Sequence, residues 1–227
     1  METYDDNNAI HTVDTNQVLT NTFFRMFLGL LASAITALYV YKSGLYISIL
    51  TNGSYIALGI VEIAVVLIFS LLFKKLSPAA VTILFFTYAC INGLTLSVIF
   101  VAYEMTSIVY AFTGTAALFG VLSLIGYKTD KDISNWGNIL TVALLVGIVL
   151  TIINIFVGST MLDIALDWAI LLIFFGLTIY DINKIKLMQQ AGFCEDEKLY
   201  VYGAMELYLD FINIFLRILS LFGKHKD

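Results

Sequence analysis

The chain has 227 residues, of which 60% are hydrophobic and 13% charged, and its mean hydropathy is +0.91. Soluble domains carry about 25% charged residues, so this composition excludes a soluble enzyme, a disordered protein and a disulfide scaffold. The net charge of −5 comes with no basic patch, which argues against a nucleic-acid partner. Cys90 and Cys194 lie in unlike surroundings, and we expect both to be free thiols.

The first twenty residues are polar and acidic, with no Lys or Arg. A secretory signal needs a basic start and a short apolar segment, so we expect the first apolar helix to remain in the mature chain. The sequence thus predicts three parts: a cytoplasmic tail at 1–20, one transmembrane domain at 21–223, and a short C-terminal tail at 224–227.

Seven apolar segments follow the tail, each near the roughly 20 residues that a helix needs to cross a bilayer. They are predicted at 21–41, 53–73, 79–102, 107–127, 137–158, 161–182 and 202–222. The connections are short except for 183–201. Ser77 and Pro78 predict the start of the third helix. Helix ends are expected near four glycines, Gly44, Gly126, Gly158 and Gly223. The predicted fold is an all-α membrane protein, a bundle of seven transmembrane helices.

The basic residues predict the orientation of the bundle. Of the 12 Lys and Arg residues, those on the N-terminal side are Arg25, Lys74, Lys75, Lys128, Lys131, Lys184, Lys186 and Lys198. Those on the opposite side are Lys42, Arg217, Lys224 and Lys226. Basic residues accumulate on the cytoplasmic side of a membrane protein. We therefore expect a cytoplasmic N-terminus and a C-terminus outside.

The seventh segment carries a stripe of polar residues. Its members project within about 80° of one another on a helix, and they are Tyr202, Glu206, Asp210, Asn213, Arg217 and Ser220. A charged side chain at the centre of a bilayer costs ~2.5–3.5 kcal/mol, so it normally faces a partner or water. We therefore expect the seventh helix to be central, with its stripe lining a polar interior. The alternative is that Arg217 and Asn213 only bond neighbouring helices.

The sixth segment has three aspartates on one face. Asp163 and Asp167 are expected to form a solvated, acidic helix N-terminus, which the helix dipole favours. Asp181 is predicted near the helix C-terminus, where the dipole disfavours an anion. Lys184, three residues later, is placed to offset that charge.

Glu62 stands alone in the second segment, about nine residues from its start. An isolated glutamate at that depth predicts a partner from across the bundle or a pore-facing position. The third segment has polar residues at helical spacing, and ordinary interhelical hydrogen bonds are the favoured interpretation for Tyr88, Asn92 and Thr95.

The remaining chemistry is limited by what the chain lacks. Its histidines, His11 and His225, lie in the tails, which excludes an intramembrane serine–histidine protease and an HExxH zinc protease. The seventh segment has no lysine for a retinal Schiff base. Carboxylate chemistry remains: cation coordination, proton binding or hydrolysis by two aspartates.

Two stretches point to a family: GLTIYDINKIK at 176–186 and LYLDFINIFLRILSLFG at 207–223. FFRMFLGLL at 23–31, Glu62 in VEIAVVL and NGLTLS at 92–97 extend the similarity over nearly the whole chain. The sequence resembles the Bax inhibitor-1 family, the transmembrane Bax-inhibitor-motif proteins, and among these its bacterial members.

The resemblance implies a seven-helix bundle with the last helix at its centre, a pH-sensitive calcium leak, and a cytoprotective role. Its motifs assign a proton-sharing pair to Asp181 and Asp210, which would also hold calcium transiently. A basic latch for the pair falls on Lys74 or Lys75. Glu206 is predicted to lie closer in depth to Asp181 than Asp210 does, so a third carboxylate stays open. No cofactor is expected besides calcium as the permeant ion.

Two other functions stay open. The chain could regulate a membrane protease or cell-death and stress factors without conducting ions, binding them through residues 1–20 or 183–201. Intramembrane aspartyl proteases also place Tyr-Asp in one helix, as at Tyr180-Asp181. They expect glycine-x-glycine-aspartate in the next helix, where this chain has Tyr208-Leu209-Asp210, so we expect no enzymatic activity. The expected location is the lipid bilayer of the bacterial plasma membrane.

Overall fold

The structure is a computed structural model that describes residues 15–131 and 133–226. Within these ranges the chain forms nine α-helices, and its one β-bridge joins Tyr103 to His225. The helices are α1 (Thr15–Ser43), α2 (Leu45–Thr51), α3 (Ser54–Leu72), α4 (Pro78–Leu96), α5 (Ile99–Ala102), α6 (Met105–Lys128), α7 (Ser134–Val157), α8 (Thr160–Gln190) and α9 (Asp196–Phe222).

Six helical segments in the described part of the chain are long and apolar enough to cross a membrane. They are α1, α3, the continuous α4 and α5, α6, α7 and α8. The first six predicted segments correspond to these helices. The seventh, α9, is not among the six, and it carries Glu206, Asp210 and Arg217 within its length. That α9 crosses the membrane therefore stays a prediction.

Several helices extend beyond their predicted ends. α1 begins at Thr15, within the predicted tail 1–20, and residues 1–14 lie outside the described residues. α8 continues to Gln190 and α9 begins at Asp196, so the predicted connection 183–201 is wrong and only residues 191–195 join the two helices. Hydropathy measures the apolar thickness of the bilayer, whereas polar residues beyond that thickness can remain helical.

Local signals located most of the helix ends. Ser77 Oγ accepts a hydrogen bond from Ala80 N at 3.3 Å and caps α4. Gly44 and Gly158 have φ of 76° and 68° at the ends of α1 and α7. Helix α6 ends at Lys128, two residues after Gly126, so the end lies near this glycine as expected although Gly126 itself is helical. A Cβ atom at Gly126 would lie 2.7 Å from the backbone oxygen of Ile179. Its glycine serves the close approach of α6 to α8.

Helix α9 packs against α1, α4, α6 and α8. Its side chains include Leu207, Tyr208 and Ile214, each of which is fully buried. By contrast, α3 packs mainly on α4, and α7 mainly on α8. Most apolar side chains of α3 and α7 are exposed, as expected for helices that face lipid.

Residues 223–226, here called the C-terminal strap, bind the connection between α5 and α6. Glu104 N donates to Lys224 O at 3.0 Å, and Lys226 N donates to Ala102 O at 3.0 Å. Lys224 Nζ lies 2.7 Å from Glu104 Oε1, and this hydrogen bond raises the pKa of the Lys224 ammonium. At the other end of α9, Lys198 Nζ donates to the backbone oxygen of Lys74 at 3.3 Å.

These contacts show how far α9 extends along the bundle. Lys74 lies just before the start of α4, and Glu104 lies just after α5, which continues α4. The two ends of α9 therefore contact opposite ends of the α4–α5 segment.

Candidate functional site

Asp181 and Asp210 meet between α8 and α9. Their residues are 4% and 3% exposed, and the two carboxyl groups are close enough to interact electrostatically. Two carboxylates buried beside each other cannot both be charged without a large energetic cost, so sharing one proton is favoured. The arrangement therefore suits a proton-sharing pair.

The surroundings of Asp210 are only partly polar. Thr178, one turn before Asp181 on α8, lies near Asp210, and the Thr178 hydroxyl donates to Phe174 O at 2.8 Å. Asp210 Oδ2 is buried and has no partner among the described residues. A buried carboxylate oxygen without a partner is costly, so this atom is where a proton, water or a cation would be bound.

Lys184 and Glu206 extend the pair toward the exposed end of the two helices. Lys184 Nζ lies 3.7 Å from Asp181 Oδ1 and 3.5 Å from Glu206 Oε1. The Lys184 and Glu206 side chains are 27% and 32% exposed, far more than the two aspartates. We call Asp181, Lys184, Glu206 and Asp210 the carboxylate cluster. Glu206 thus reaches the pair through Lys184.

The predicted latch residues lie elsewhere. Lys74 and Lys75 are exposed, and Lys74 Nζ lies 4.9 Å from the centre of the Phe193 ring. In the described part of the chain neither lysine contacts Asp181 or Asp210, and Lys184 is the cation beside them. The sequence indicated Lys184 only as a counter-charge at the helix end, because the sixth apolar segment ends near residue 182 whereas α8 continues to Gln190.

A small cavity adjoins the carboxylate cluster. Its volume is about 230 Å³, and its lining includes Ser134, Tyr180, Asn183, Lys184 and Phe193. Asn183 Nδ2 donates to Thr129 O at 2.8 Å, whereas its Oδ1 is buried without a partner among the described residues. The cavity therefore places polar residues of its lining next to Lys184, at the end of the bundle where residues 191–195 join α8 to α9.

The outer part of the α9 stripe binds a different aspartate. Arg217 Nη1 donates to Asp167 Oδ1 at 2.5 Å, and Ser220 Oγ donates to Asp167 Oδ2 at 2.5 Å. Asp167 is 8% exposed, so the prediction that it is solvated is wrong: α9 covers it with a cation and a hydroxyl. Asp163 is exposed, as expected, and accepts a hydrogen bond from Asn154 at 2.5 Å.

The other members of the stripe have local contacts. Asn213 Nδ2 donates to Leu209 O, one turn earlier on the same helix, at 2.8 Å. The Tyr202 ring lies under Lys184, with Nζ 4.9 Å from its centre. The stripe therefore faces α8 over its length, but its two halves bind separate aspartates.

A second polar network lies on the opposite face of α9. Glu62 accepts hydrogen bonds from Thr95 Oγ1 at 2.5 Å and Asn92 Nδ2 at 3.3 Å. Tyr208 OH donates to Asn92 Oδ1 at 2.9 Å and lies 2.7 Å from Ser33 Oγ. We call these five residues the tyrosine network. The sequence predicted a partner for Glu62 but gave no indication that Ser33 and Tyr208 belong to the same network. The available signal was that a phenol in an apolar helix needs a hydrogen-bond partner.

Resident metal binding has little support in the described residues. They contain no group of three or more His, Cys, Asp or Glu side chains placed to hold a metal ion. Two carboxyl groups, Asp181 and Asp210, are fewer ligands than the six to eight oxygens that Ca²⁺ normally takes. Transient calcium at this pair therefore stays a prediction.

Comparisons with known proteins agree with the motifs. The family described as "Inhibitor of apoptosis-promoting Bax1" matches residues 15–227. The chain is 38% identical over 208 residues to "Inner membrane protein YbhL" of Escherichia coli strain K12, covering 88% of each. It is 37% identical over 219 residues to an uncharacterized membrane protein of Streptococcus pyogenes serotype M3, covering 94% of this chain and 95% of the relative. The chain therefore belongs to the Bax inhibitor-1 family of membrane proteins.

Proposed function

We propose that the protein is a pH-sensitive calcium leak channel of the bacterial plasma membrane. The observation that carries the proposal is the buried contact between the carboxyl groups of Asp181 and Asp210. The pair joins two long helices, so its protonation state bears directly on how α8 and α9 fit together. No enzymatic step is part of this function.

The proposal includes seven membrane spans with α9 as the last and central one. The 27 residues of α9 extend about 40 Å, which exceeds the bilayer core of roughly 30 Å. Its contacts with Lys74 at one end and Glu104 at the other support a full crossing. An odd number of spans, with most Lys and Arg on the N-terminal side, gives a cytoplasmic N-terminus and a C-terminus outside.

The gate works through one proton. With a proton between them, Asp181 and Asp210 form a compact neutral–anionic pair that holds α8 against α9. When that proton leaves, two anions face each other away from bulk water. They separate, or they bind a hard cation through their oxygens. Either response changes the helix contact, and Asp210 Oδ2 is free to serve as a ligand.

Lys184 and Glu206 supply the approach to the gate. Glu206 is the more exposed carboxylate, so an arriving cation meets it before the buried pair. Lys184 binds Glu206 and Asp181 together, and it must give up one of them before a cation passes. The cavity beside Lys184 is the proposed cytoplasmic vestibule.

A liposome flux assay tests the gate. Purified protein is reconstituted with a calcium dye inside the vesicles, and calcium entry is followed from pH 5 to pH 8. We expect the wild type to show a pH-dependent flux, and Asp181→Asn and Asp210→Asn each to abolish that dependence. Asp163→Asn is the matched control, because Asp163 lies on α8 but outside the carboxylate cluster. It should keep the wild-type pH profile.

Two results would contradict the proposal. The first is the absence of calcium entry at every pH in folded, reconstituted wild-type protein. The second is an unchanged pH profile in both aspartate variants, which would show that the pair is not the pH sensor.

A further inference from the structure

A groove between α1 and α6 opens on the lipid-facing side of the bundle. Its volume is about 600 Å³, and its lining is mainly apolar. The floor is formed by Ile182 of α8 and Phe211 of α9, and the walls include Leu19, Phe23, Phe119 and Gly120. Both floor residues are buried, so the groove reaches past the outer helices to the interior of the bundle.

A polar cavity of about 460 Å³ adjoins one end of this groove, and the two share Asn16 and Tyr127. The polar cavity is lined by two lysines, Lys128 and Lys186, and one aspartate, Asp130. It lies at the end where α1 begins and α8 ends, which the proposed topology makes cytoplasmic.

The Lys186 ammonium is largely buried, and its acidic partner is an exposed side chain. Its side chain is 12% exposed, and Nζ donates to the backbone oxygens of Tyr127 and Thr129. Its ion-pair partner in the described residues is Asp130, at 3.9 Å, whose side chain is 98% exposed. A solvated carboxylate at that distance neutralises a buried ammonium weakly. The cavity therefore retains a positive charge suited to a second anion.

The groove deepens along α6 away from the polar cavity. Ser123 lines the groove, and Lys128 lies five residues later on α6, which places Ser123 about 7.5 Å deeper along the helix axis. The order from the bundle end inward is thus cationic, then apolar.

We infer that this groove is a binding site for an anionic glycerophospholipid from the leaflet on the side of residue 15. The phosphate lies against Lys128 and Lys186, and one acyl chain fills the groove between α1 and α6. The order of positive charge and apolar surface matches the order of groups in such a lipid. The site does not depend on calcium conduction.

The glycines of α6 allow a matched test. Gly120 lines the groove, Gly114 does not, and a Cβ atom at either position would meet nothing within 4 Å. Gly120→Leu therefore fills the groove without a backbone clash, and Gly114→Leu adds the same side chain to the same helix elsewhere. Binding of dioleoyl phosphatidylglycerol and dioleoyl phosphatidylethanolamine is measured by native mass spectrometry of the purified full chain. We expect Gly120→Leu to weaken phosphatidylglycerol binding at least about tenfold and Gly114→Leu to leave it unchanged.

The lysines test the headgroup part separately. We expect Lys128→Gln and Lys186→Gln each to weaken phosphatidylglycerol binding about fivefold, with little effect on phosphatidylethanolamine. Lys75→Gln, at an exposed position away from the groove, is the control. If the Gly120→Leu and Gly114→Leu variants bind phosphatidylglycerol with equal affinity, the proposed site is wrong. If Gly120→Leu does not fold, the variant that combines Lys128→Gln with Lys186→Gln decides instead. An unchanged affinity of that variant for phosphatidylglycerol would overturn the site.

Discussion

At the scale of single residues, Tyr208 and Asp210 are two positions apart and bind different parts of the bundle. Asp210 faces α8 and the carboxylate cluster, whereas Tyr208 faces Asn92 and Ser33 on α4 and α1. Neighbouring positions on a helix project about 100° apart, so residues two positions apart point to nearly opposite sides. One turn of α9 therefore connects the carboxylate cluster to the tyrosine network.

The tyrosine network predicts a stability effect. Tyr208→Phe removes the hydroxyl that lies between Asn92 Oδ1 and Ser33 Oγ and leaves these buried atoms with fewer partners. We expect it to lower the free energy of unfolding by about 1–3 kcal/mol, measured by SDS titration in mixed micelles. Tyr110→Phe is the control, because Tyr110 is 76% exposed and should show no loss. Equal stability of the two variants would show that the network contributes little.

Only some of the site residues could be predicted from the sequence. The family motifs indicated Asp181 and Asp210, and the helical projection indicated the stripe on α9. Contacts of Lys184 with Glu206, and of Arg217 with Asp167, join residues 22 and 50 positions apart on two helices. Periodicity along one helix carries no information about which residue of another helix faces it, so these pairs required the structure.

At the scale of elements, hydropathy located helices better than helix ends. The apolar segments matched the six helices that can cross a membrane, because burial in lipid imposes a continuous apolar length. The C-terminal end of α8 and the start of α9 were misplaced by several residues, because the polar turns there carry no apolar signal. Gly126 lies two residues before the end of α6 and also marks a close contact with α8, and the sequence indicated only the first of these two uses of glycine.

The two uses of glycine give a prediction within α6. Gly126→Ala would place Cβ 2.7 Å from the backbone oxygen of Ile179, and backbone cannot move aside as a flexible side chain can. We expect a loss of about 1–3 kcal/mol in the free energy of unfolding. Gly114→Ala, on the same helix in open space, should leave stability unchanged or raise it by at most about 1 kcal/mol. Measuring both in the same SDS titration separates a packing effect from helix propensity. A stable Gly126→Ala variant would contradict the close approach of α6 and α8.

At the scale of the whole molecule, the proposed topology follows from charge and from the extent of α9. Its test uses single cysteines in a chain with Cys90 and Cys194 changed to serine. A membrane-impermeant maleimide applied to spheroplasts should label Asn52→Cys and a cysteine added after the last residue. It should leave Asp130→Cys unlabelled until the membrane is opened, because the Lys-rich side faces the cytoplasm.

Each labelling pattern has a distinct meaning. Labelling at Asn52→Cys without labelling of the added C-terminal cysteine would show that α9 does not cross. Labelling at Asp130→Cys alone would show that the bundle is inverted. Asn52 and Asp130 are both exposed and lie in different connections, so neither result depends on unfolding the chain.

The C-terminal strap has a mechanical consequence for the gate. It fastens the far end of α9 to the segment between α5 and α6 through backbone bonds at Ala102 and Glu104. The start of α9 is held by the side-chain hydrogen bond of Lys198 to Lys74 O, so we expect α9 to pivot about its C-terminal end rather than slide. Any displacement of Asp210 away from Asp181 would then be a tilt of α9 about its anchored end, widening toward the start of the helix near Lys198. The widest part of such an opening would coincide with Glu206 and the vestibule beside Lys184.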